Sequence, residues 1–536
     1  MVTKDKLIGD LTSILSARFS TNTTYADQDS NFCDPGTRVE ILDTIKKWAQ
    51  VTAEGAKPLF WLSGVPGAGK SSIAASIARN FEDAGILWAQ FFVNRGDTST
   101  TKPKTIFLSL AKQLAHKSPI VSSVVRSALE KIPKLVNDVS DSQARLLFVE
   151  PIRIASGLNP SQPVVIVIDG LDECEGEYLH KTIKILSKAI GQLPSNAKVF
   201  ISSRVEDYIQ IPFSEMVIAE RAVQVDLDPA AQSSIQDVAD FLERRMQEMV
   251  RDYHLEEWDW PGEETMKGLC DKASGLFLWA ATVVKFIRAQ IEVDGSECLD
   301  DVLRDLSTKG MGDINELYYT ILEQTCPEDQ GDWALERFRR IVGCIVALEE
   351  PLGLSSLKNL LNIRKDEKSR VVDIKHFVRK FRTVLVAGSD TIEDKTVPRL
   401  HKSFVQFILS ENAGRFRINS SLSNEEMALK CLRKLNSLSR DMCKIEHLAA
   451  FNENIPDLPA RINKYLSMEV RYACRFWSFH LLASSGVSSL LHELRIFLNT
   501  HLLHWIEATS LLSFAAIEKT LRKAAEWAKV SFCSTL

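Results

Sequence analysis

The sequence predicts a parallel α/β domain of five strands with helices on both faces, followed by a chain that is almost wholly helical. Three observations carry this. Between residues 58 and 228, short β-rich runs alternate with amphipathic segments, the pattern of strands joined by helical crossovers. The run "VVIVI" (164–168) is apolar throughout, as a strand covered on both faces must be. After Pro229 the β-rich runs give way to helical periodicity.

The expected strands are "PLFWLSG" (58–64), "ILWAQFFV" (86–93), "PVVIVIDG" (163–170), "AKVFISS" (197–203) and "RAVQVDL" (221–227). Helices are expected at 70–82, 105–116, 143–155 and 178–191. Beyond them, "SSIQDVADFLERRMQEM" opens with serines suited to N-capping. Further helices are expected at 265–290, 313–324 and 332–348. A compact mixed segment follows. It reads helix ("LSSLKNLLNI"), helix ("VVDIKHFVRKF"), two β-like runs around a polar turn ("TVLVAGSDTIEDKTVPRLH"), then helix ("KSFVQFILS"), the order of a winged helix. Residues from about 420 to 536 read as helical, with no internal period. The expected organisation is an N-terminal helical or linker segment (1–57), the α/β domain (58–228), a first helical domain (229–305), a winged helix (306–412) and a second, all-α domain (413–536).

A chain of 536 residues is too long for one hydrophobic core, so three or four folding units are expected. The net charge of −5 offers no attraction for nucleic acid or an anionic membrane, and neither is expected as a partner. Ten cysteines are scattered without a CxxC pair, which argues against a zinc ribbon or a disulfide framework and suits a reducing cytosol. "MVTKDKLIGDLTSIL" carries charges where a signal peptide needs an apolar core. The most apolar stretch, "GLFLWAATVV" (275–284), falls short of the roughly 20 residues that span a bilayer. A cytoplasmic protein is expected.

"GVPGAGKS" (64–71) matches G-x-x-x-x-G-K-[ST] between a predicted strand and a predicted helix. In this phosphate-binding loop, Gly64, Val65, Pro66, Gly67, Ala68 and Gly69 would turn backbone N–H groups toward phosphate oxygens. Lys70 would reach the β- and γ-phosphates, the Ser71 hydroxyl would ligate Mg2+, and Ser72 could contact the α-phosphate. "VVIVIDGLDE" (164–173) supplies the partner acid: Asp169 ends a buried strand, where a carboxylate can hold the water shell of Mg2+. Of the acids that follow, Asp172 and Glu173, one could orient or deprotonate an attacking water, although acids after a strand are often only solvated or capping residues. "KVFISSR" ends in Arg204, which either senses γ-phosphate charge or is a surface arginine. His401 in "RLHKSFVQFI" stands at a strand-to-helix junction and, by itself, reads as structural. The remaining histidines lie too far apart to suggest a metal site, and the tryptophans at 258, 260, 477, 505 and 527 read as core or interface residues.

Together, "GVPGAGKSS", "VVIVIDGLDE" and "VFISSR" resemble the NACHT domain of the STAND class of signal-transducing P-loop NTPases. The framing segments "CDPGTRVEILDTIKKWA", "ASGLFLWAATVV", "RLHKSFVQFI" and "YACRFWSFHL" resemble those of fungal, particularly basidiomycete, NACHT proteins, some of them labelled by similarity to the P-loop region of nephrocystin. The resemblance implies an ADP/ATP switch with slow ATP hydrolysis, in which the helical domains and winged helix trap ADP, and ATP permits homo-oligomerisation. It implies a role in fungal non-self recognition or programmed cell death. It implies that His401, in "HKSF", contacts ADP, and that Arg38 and its neighbours pack on the adenine. It also sets ATP, rather than GTP, as the expected nucleotide, which the loop itself does not decide. Relatives place a proline in the first helical domain against the nucleotide; "SGLFLW" has none, which leaves that contact open. They also append sensor repeats, expected here to be absent or truncated. Two other functions fit the residues: a non-catalytic scaffold that holds ADP, and a ring-forming AAA-type remodeller, for which no pore-loop candidate is found.

Overall fold

The computed structural model describes residues 23–27, 32–93, 98–136, 139–176, 178–218, 220–254, 260–295, 299, 302–303, 306, 314–326, 328, 332–350, 352–362, 374, 377–378, 381–385, 400–445, 451–485, 488–512 and 517–533. The chain divides into two compact units, Met1–Ile314 and Asn315–Leu536.

The first unit is built on five parallel strands: β1 (Leu59–Gly64), β2 (Leu87–Phe92), β3 (Val164–Asp169), β4 (Ala197–Ser203) and β5 (Ala222–Leu227). Their spatial order is β2-β3-β4-β1-β5. β4, late in sequence, therefore lies between the strand that ends in the glycine loop and the strand that ends in Asp169, pairing with both. Successive side chains of a strand point to opposite faces, and here each face has its own core. Leu59, Trp61, Ile166, Ile168, Val199 and Ile201 face one cluster, while Phe60, Leu62, Val165, Val167 and Phe200 face the other. Every residue of β1, β3 and β4 is buried, as the continuous apolar runs require, whereas Gln224 and Asp226 alternate outward on the edge strand β5.

Helix α1 (Val39–Gln50) precedes the sheet, and α2 (Lys70–Asp83) leaves the glycine loop to cover the second face through Ile73, Ala74 and Ile77. The expected helices at 105–116 and 178–191 are observed as α3 (Ile106–Lys117) and α6 (Leu179–Ile190). The segment 143–155 is helical with a π-type turn over Arg145–Val149 ahead of α5 (Glu150–Leu158). Pro151, which has no N–H to give, stands just after that wide turn. Two helices not named from sequence, α4 (Pro119–Lys131) and α7 (Asp207–Ile218), add to the first face.

One expected element divides. The helix foreseen at 265–290 is two helices, α9 (Glu263–Ala273) and α10 (Phe277–Asp294), which follow the long α8 (Gln232–Asp252). The break falls at Ser274–Gly275, both with positive φ (45° and 75°). A Cβ on Gly275 would lie 2.0 Å from the carbonyl oxygen of Pro229, so this turn admits only glycine while the backbones lie so close.

Among the described residues, the regular elements of the second unit are all helical. Ile314–Thr325, Asp332–Val346, Leu354–Leu361, Lys402–Leu409, Ser420–Leu435, Leu458–Tyr465, Met468–Leu482, Ser488–Ile496, Leu502–Leu511 and Ile517–Cys533 are its main helices. The start of the expected hairpin is corrected: Arg382–Leu385 is a helical turn, with Val384 buried. The remainder of the hairpin (386–399) and most of the helix expected at 371–381 lie outside the described residues, as does Trp258. Trp477 and Trp505 are fully buried and pack edge-to-face with Phe497, and the Trp505 indole donates to the Cys474 carbonyl at 3.0 Å. Among the described residues, no helix is long and apolar enough to cross a membrane.

Candidate functional site

All five strands run parallel, so β1, β3 and β4 deliver their C-terminal ends to the same edge of the sheet. Such an edge, beside a strand whose connection reverses direction, is where open α/β sheets bind ligands. Gly64, Asp169 and Ser203 are the last residues of those strands. The loop Val65–Gly69 then turns from β1 into α2, whose N-terminus carries no side-chain cap. Its first N–H groups are thus presented at the loop rather than satisfied by the protein. Val65 is exposed and Gly67, Gly69 and Lys70 are half-buried, while Ala68 is buried.

Lys70 folds over this loop, its ammonium donating to the carbonyls of Gly64 (2.8 Å) and Val65 (2.9 Å). Burial pulls its pKa down, and the opposing pull comes from Asp172 first and Asp169 second. Asp169 is buried, and that burial pushes its pKa up against hydrogen bonds from the Ser202 and Ser71 hydroxyls and the charge of Lys70. The Ser202 hydroxyl also accepts from the Gly170 N–H at 3.3 Å. Ser202 was not singled out from sequence. Its signal is the strand order, which sets β4 directly beside Asp169. Arg204 and Asp172 form an ion pair on the same edge, and Glu173 stands half-buried in the 3-10 turn Leu171–Glu173. Ser72 is half-buried in the first turn of α2.

Arg38 reaches the loop from outside the sheet. It is buried, with φ of 56°, and its guanidinium donates to the Ala68 carbonyl (2.9 Å) and the Ser234 hydroxyl (2.8 Å). Its own N–H donates to Asp237 at 3.2 Å. The preceding residues make the same connection. The Cys33 N–H donates to Ser76 on α2 at 2.9 Å, and Asp34 pairs with Arg245 on α8 at 2.6 Å. Residues 33–38 thus strap the loop and its helix to α8.

The proline-free segment "SGLFLW" reaches the loop as well. The N–H of Leu278 donates to the Gly67 carbonyl at 3.2 Å, and Phe277 lies under the Arg38 guanidinium, 5.0 Å from it, and edge-on to Phe241. This contact with the loop was not foreseen from the sequence. The structure brings Arg38, the loop, Asp169, Asp172, Glu173 and Arg204 into one unit. His401 belongs to the second unit, where it caps Lys402–Leu409. Its Nδ1 accepts from the Ser403 N–H at 3.2 Å and lies 2.8 Å from the Ser403 hydroxyl.

With oxygen donors alone at the centre, the set suits a hard cation. Mg2+ keeps several waters and needs one or two carboxylates besides phosphate, which Asp169 bonded to Ser71 provides. Among the described residues, no group of three or more His, Cys, Asp or Glu side chains could hold a metal by itself.

Residues 36–204 match the family model described as nephrocystin 3, N-terminal. The match covers about a third of the chain and begins and ends on the elements just described, from the strap before α1 to Arg204 at the end of β4. Over those residues the chain is similar to that family. No curated protein matches. Among solved structures, PCH-2 of C. elegans is 14% identical, over 55% of this chain and 72% of its own, with a TM-score of 0.28. The Walker-type ATPase PABY2304 of Pyrococcus abyssi is 13% identical, over 72% of this chain and 97% of its own, with a TM-score of 0.32. Superpositions this loose carry no weight for fold or function.

Proposed function

We propose that the chain binds ADP and ATP with Mg2+ at the edge of the β1-β4-β3 sheet and acts as a nucleotide-dependent switch with slow hydrolysis. The observation that supports it best is the convergence of the Lys70 loop, the Ser71–Asp169 pair and Arg204 on one edge. In this reading the loop N–H groups and Lys70 hold the phosphates, and Ser71 and Asp169 hold Mg2+, which supplies charge neutralisation at the β- and γ-phosphates. Lys70 exchanges its two carbonyl partners for phosphate oxygens when nucleotide enters, a stronger, charge-assisted pairing.

Holding is favoured over rapid turnover by the two clamps on the loop backbone, Arg38 on Ala68 and Leu278 on Gly67. Each must be accommodated or released when nucleotide leaves, and release then limits the cycle. The STAND-type arrangement, the winged helix, the ADP contact of His401 and homo-oligomerisation on ATP binding belong to the same proposal. They are supported by the "HKSF" and "DGLDE" contexts. A role in fungal non-self recognition or cell death rests on that resemblance alone.

The test is light scattering on the size-excluded full chain, before and after ADP is exchanged for ATP, for wild type and His401→Ala. A switch grows in mass with ATP, and His401→Ala loosens ADP and associates more readily. A chain that stays monomeric in every state, with ADP release unaltered by the substitution, contradicts the switch and leaves ADP-holding scaffold as the reading.

A further inference from the structure

We propose that Asp172 is a positioning residue for Arg204, aiming its guanidinium at the terminal phosphate, and is not the group that activates water. The inference rests on the nucleotide-site reading above and assigns a role within it.

Asp172 grips Arg204 twice. Its Oδ1 accepts the backbone N–H of Arg204 at 3.0 Å, and its Oδ2 lies 3.3 Å from the guanidinium Nε. The carboxylate is almost wholly enclosed, with its side chain 3% exposed and that of Arg204 14%. A general base has to present a lone pair to a water within about 3 Å. Asp172 spends both carboxylate oxygens on Arg204, which aims them at the arginine rather than at an attacking water.

The grip is fixed from the other side as well. Gly170, with φ of 73°, turns the chain out of β3, and the fully buried Leu171 anchors the 3-10 turn that carries Asp172. The carbonyl of Asp172 accepts the Tyr208 hydroxyl at 3.5 Å, and the Tyr208 ring stacks on His180 with centroids 4.9 Å apart and planes 7° from parallel. Asp172 is thus set by β3 and α7, and it in turn sets the residue that follows β4. Since β4 lies between β1 and β3, that residue emerges between the Lys70 loop and Asp169, where a terminal phosphate would lie. Arg204 already acts electrostatically on Lys70 across this gap. A guanidinium in that place distinguishes a triphosphate from a diphosphate by one charge-assisted bond.

The experiment uses the full chain and measures displacement of a fluorescent ADP by ADP and by a non-hydrolysable ATP analogue, with single-turnover hydrolysis as a function of pH. The variants are Asp172→Asn, Arg204→Ala, the double variant and Arg204→Lys. If Asp172 acts through Arg204, Asp172→Asn and Arg204→Ala each weaken the analogue by about tenfold. Both leave ADP binding within about twofold, the double variant is no worse than Arg204→Ala, and the pH profile of Asp172→Asn keeps its acid limb. Arg204→Lys, which keeps the charge but not the Nε contact, falls between wild type and Arg204→Ala.

Asp172→Asn that abolishes hydrolysis with analogue binding intact, and adds fully to Arg204→Ala, overturns the proposal and makes Asp172 the base. If Asp172→Asn does not fold, Arg204→Lys alone decides: an unaltered preference for the analogue over ADP overturns it. ADP binding that depends on Lys70 keeps the nucleotide site standing while the Asp172 assignment falls. A wild-type chain that binds neither nucleotide overturns both.

Discussion

The N–H of Leu278 donates to the carbonyl of Gly67 at 3.2 Å, so the first turn of α10 rests on the middle of the glycine loop. Gly67 has φ of 83°, and a Cβ there would meet the Leu278 Cβ at 2.6 Å. The two residues lie 211 positions apart in a chain where the loop and α10 belong to the same compact unit.

Gly67→Ala should therefore fail on two counts, a left-handed backbone that alanine resists and an overlap with the Leu278 side chain. The expected cost is about 1–3 kcal/mol. Thermal unfolding checks it against Gly55→Ala, which shares the positive φ (83°) but has nothing within 4 Å of the added carbon. Equal losses in the two variants would mean that α10 does not bear on the loop.

Lys198 supplies a pH prediction. It is fully buried in β4, its ammonium donating to the Lys57 carbonyl at 3.2 Å and lying over the Trp48 ring. Burial lowers its pKa from 10.5 to about 8. Between those values the unfolded chain binds the proton and the folded one does not, so its contribution to stability rises with pH through that window. Lys198→Met removes the buried charge and should stabilise the fold at pH 7 by about 2 kcal/mol, flattening the rise between pH 8 and 10.5. Urea unfolding of both proteins at pH 7, 8.5 and 10 measures it, and a destabilised Lys198→Met at pH 7 would contradict it.

His480 gives the same sign in a lower pH window, in the second unit. It is fully buried, its Nε2 lying 2.8 Å from the Tyr472 hydroxyl and its Nδ1 2.8 Å from the Asn424 side-chain oxygen. The Tyr472 hydroxyl in turn accepts from the Glu349 N–H at 3.1 Å, so the His480–Tyr472 pair joins its helix to two other segments. Burial holds its pKa down from 6.5 to about 3, and the unfolded chain binds the proton between those values. Stability should fall as pH drops from about 6.5 toward 3. In His480→Gln, which is neutral throughout, that part of the acid sensitivity should vanish. Retention of the full wild-type acid slope would place its origin elsewhere.

These sites mark where the sequence was legible. The strands of the sheet and the loop between β1 and α2 were readable because periodicity and glycine spacing are local properties. "VVIVI" had to be buried on both faces, and it is. The break at Ser274–Gly275 was not readable, because "ASGLFLWAATVV" keeps enough apolar content to pass as one helix. What restricts that turn to glycine is the Pro229 carbonyl, about 46 residues earlier. Arg38 was singled out, but its partners Ala68, Ser234 and Asp237 are long-range contacts that no local pattern encodes. Lys198 was passed over for a similar reason: a lysine in "AKVFISS" looks like an interruption, and only the strand order buries it. Ser202 stands one residue from the segment's end, and its bond to Asp169 follows from β3–β4 pairing alone.

The most direct test of the central claim is calorimetric titration of ADP with Mg2+ into the full chain, freed of any co-purified nucleotide identified by mass, for wild type and Lys70→Ala. One site per chain is expected in wild type and at least a hundredfold weaker binding in Lys70→Ala, since the ammonium proposed to pair with phosphate is removed. Binding of equal strength in the two proteins would contradict it and move the nucleotide away from the loop between β1 and α2.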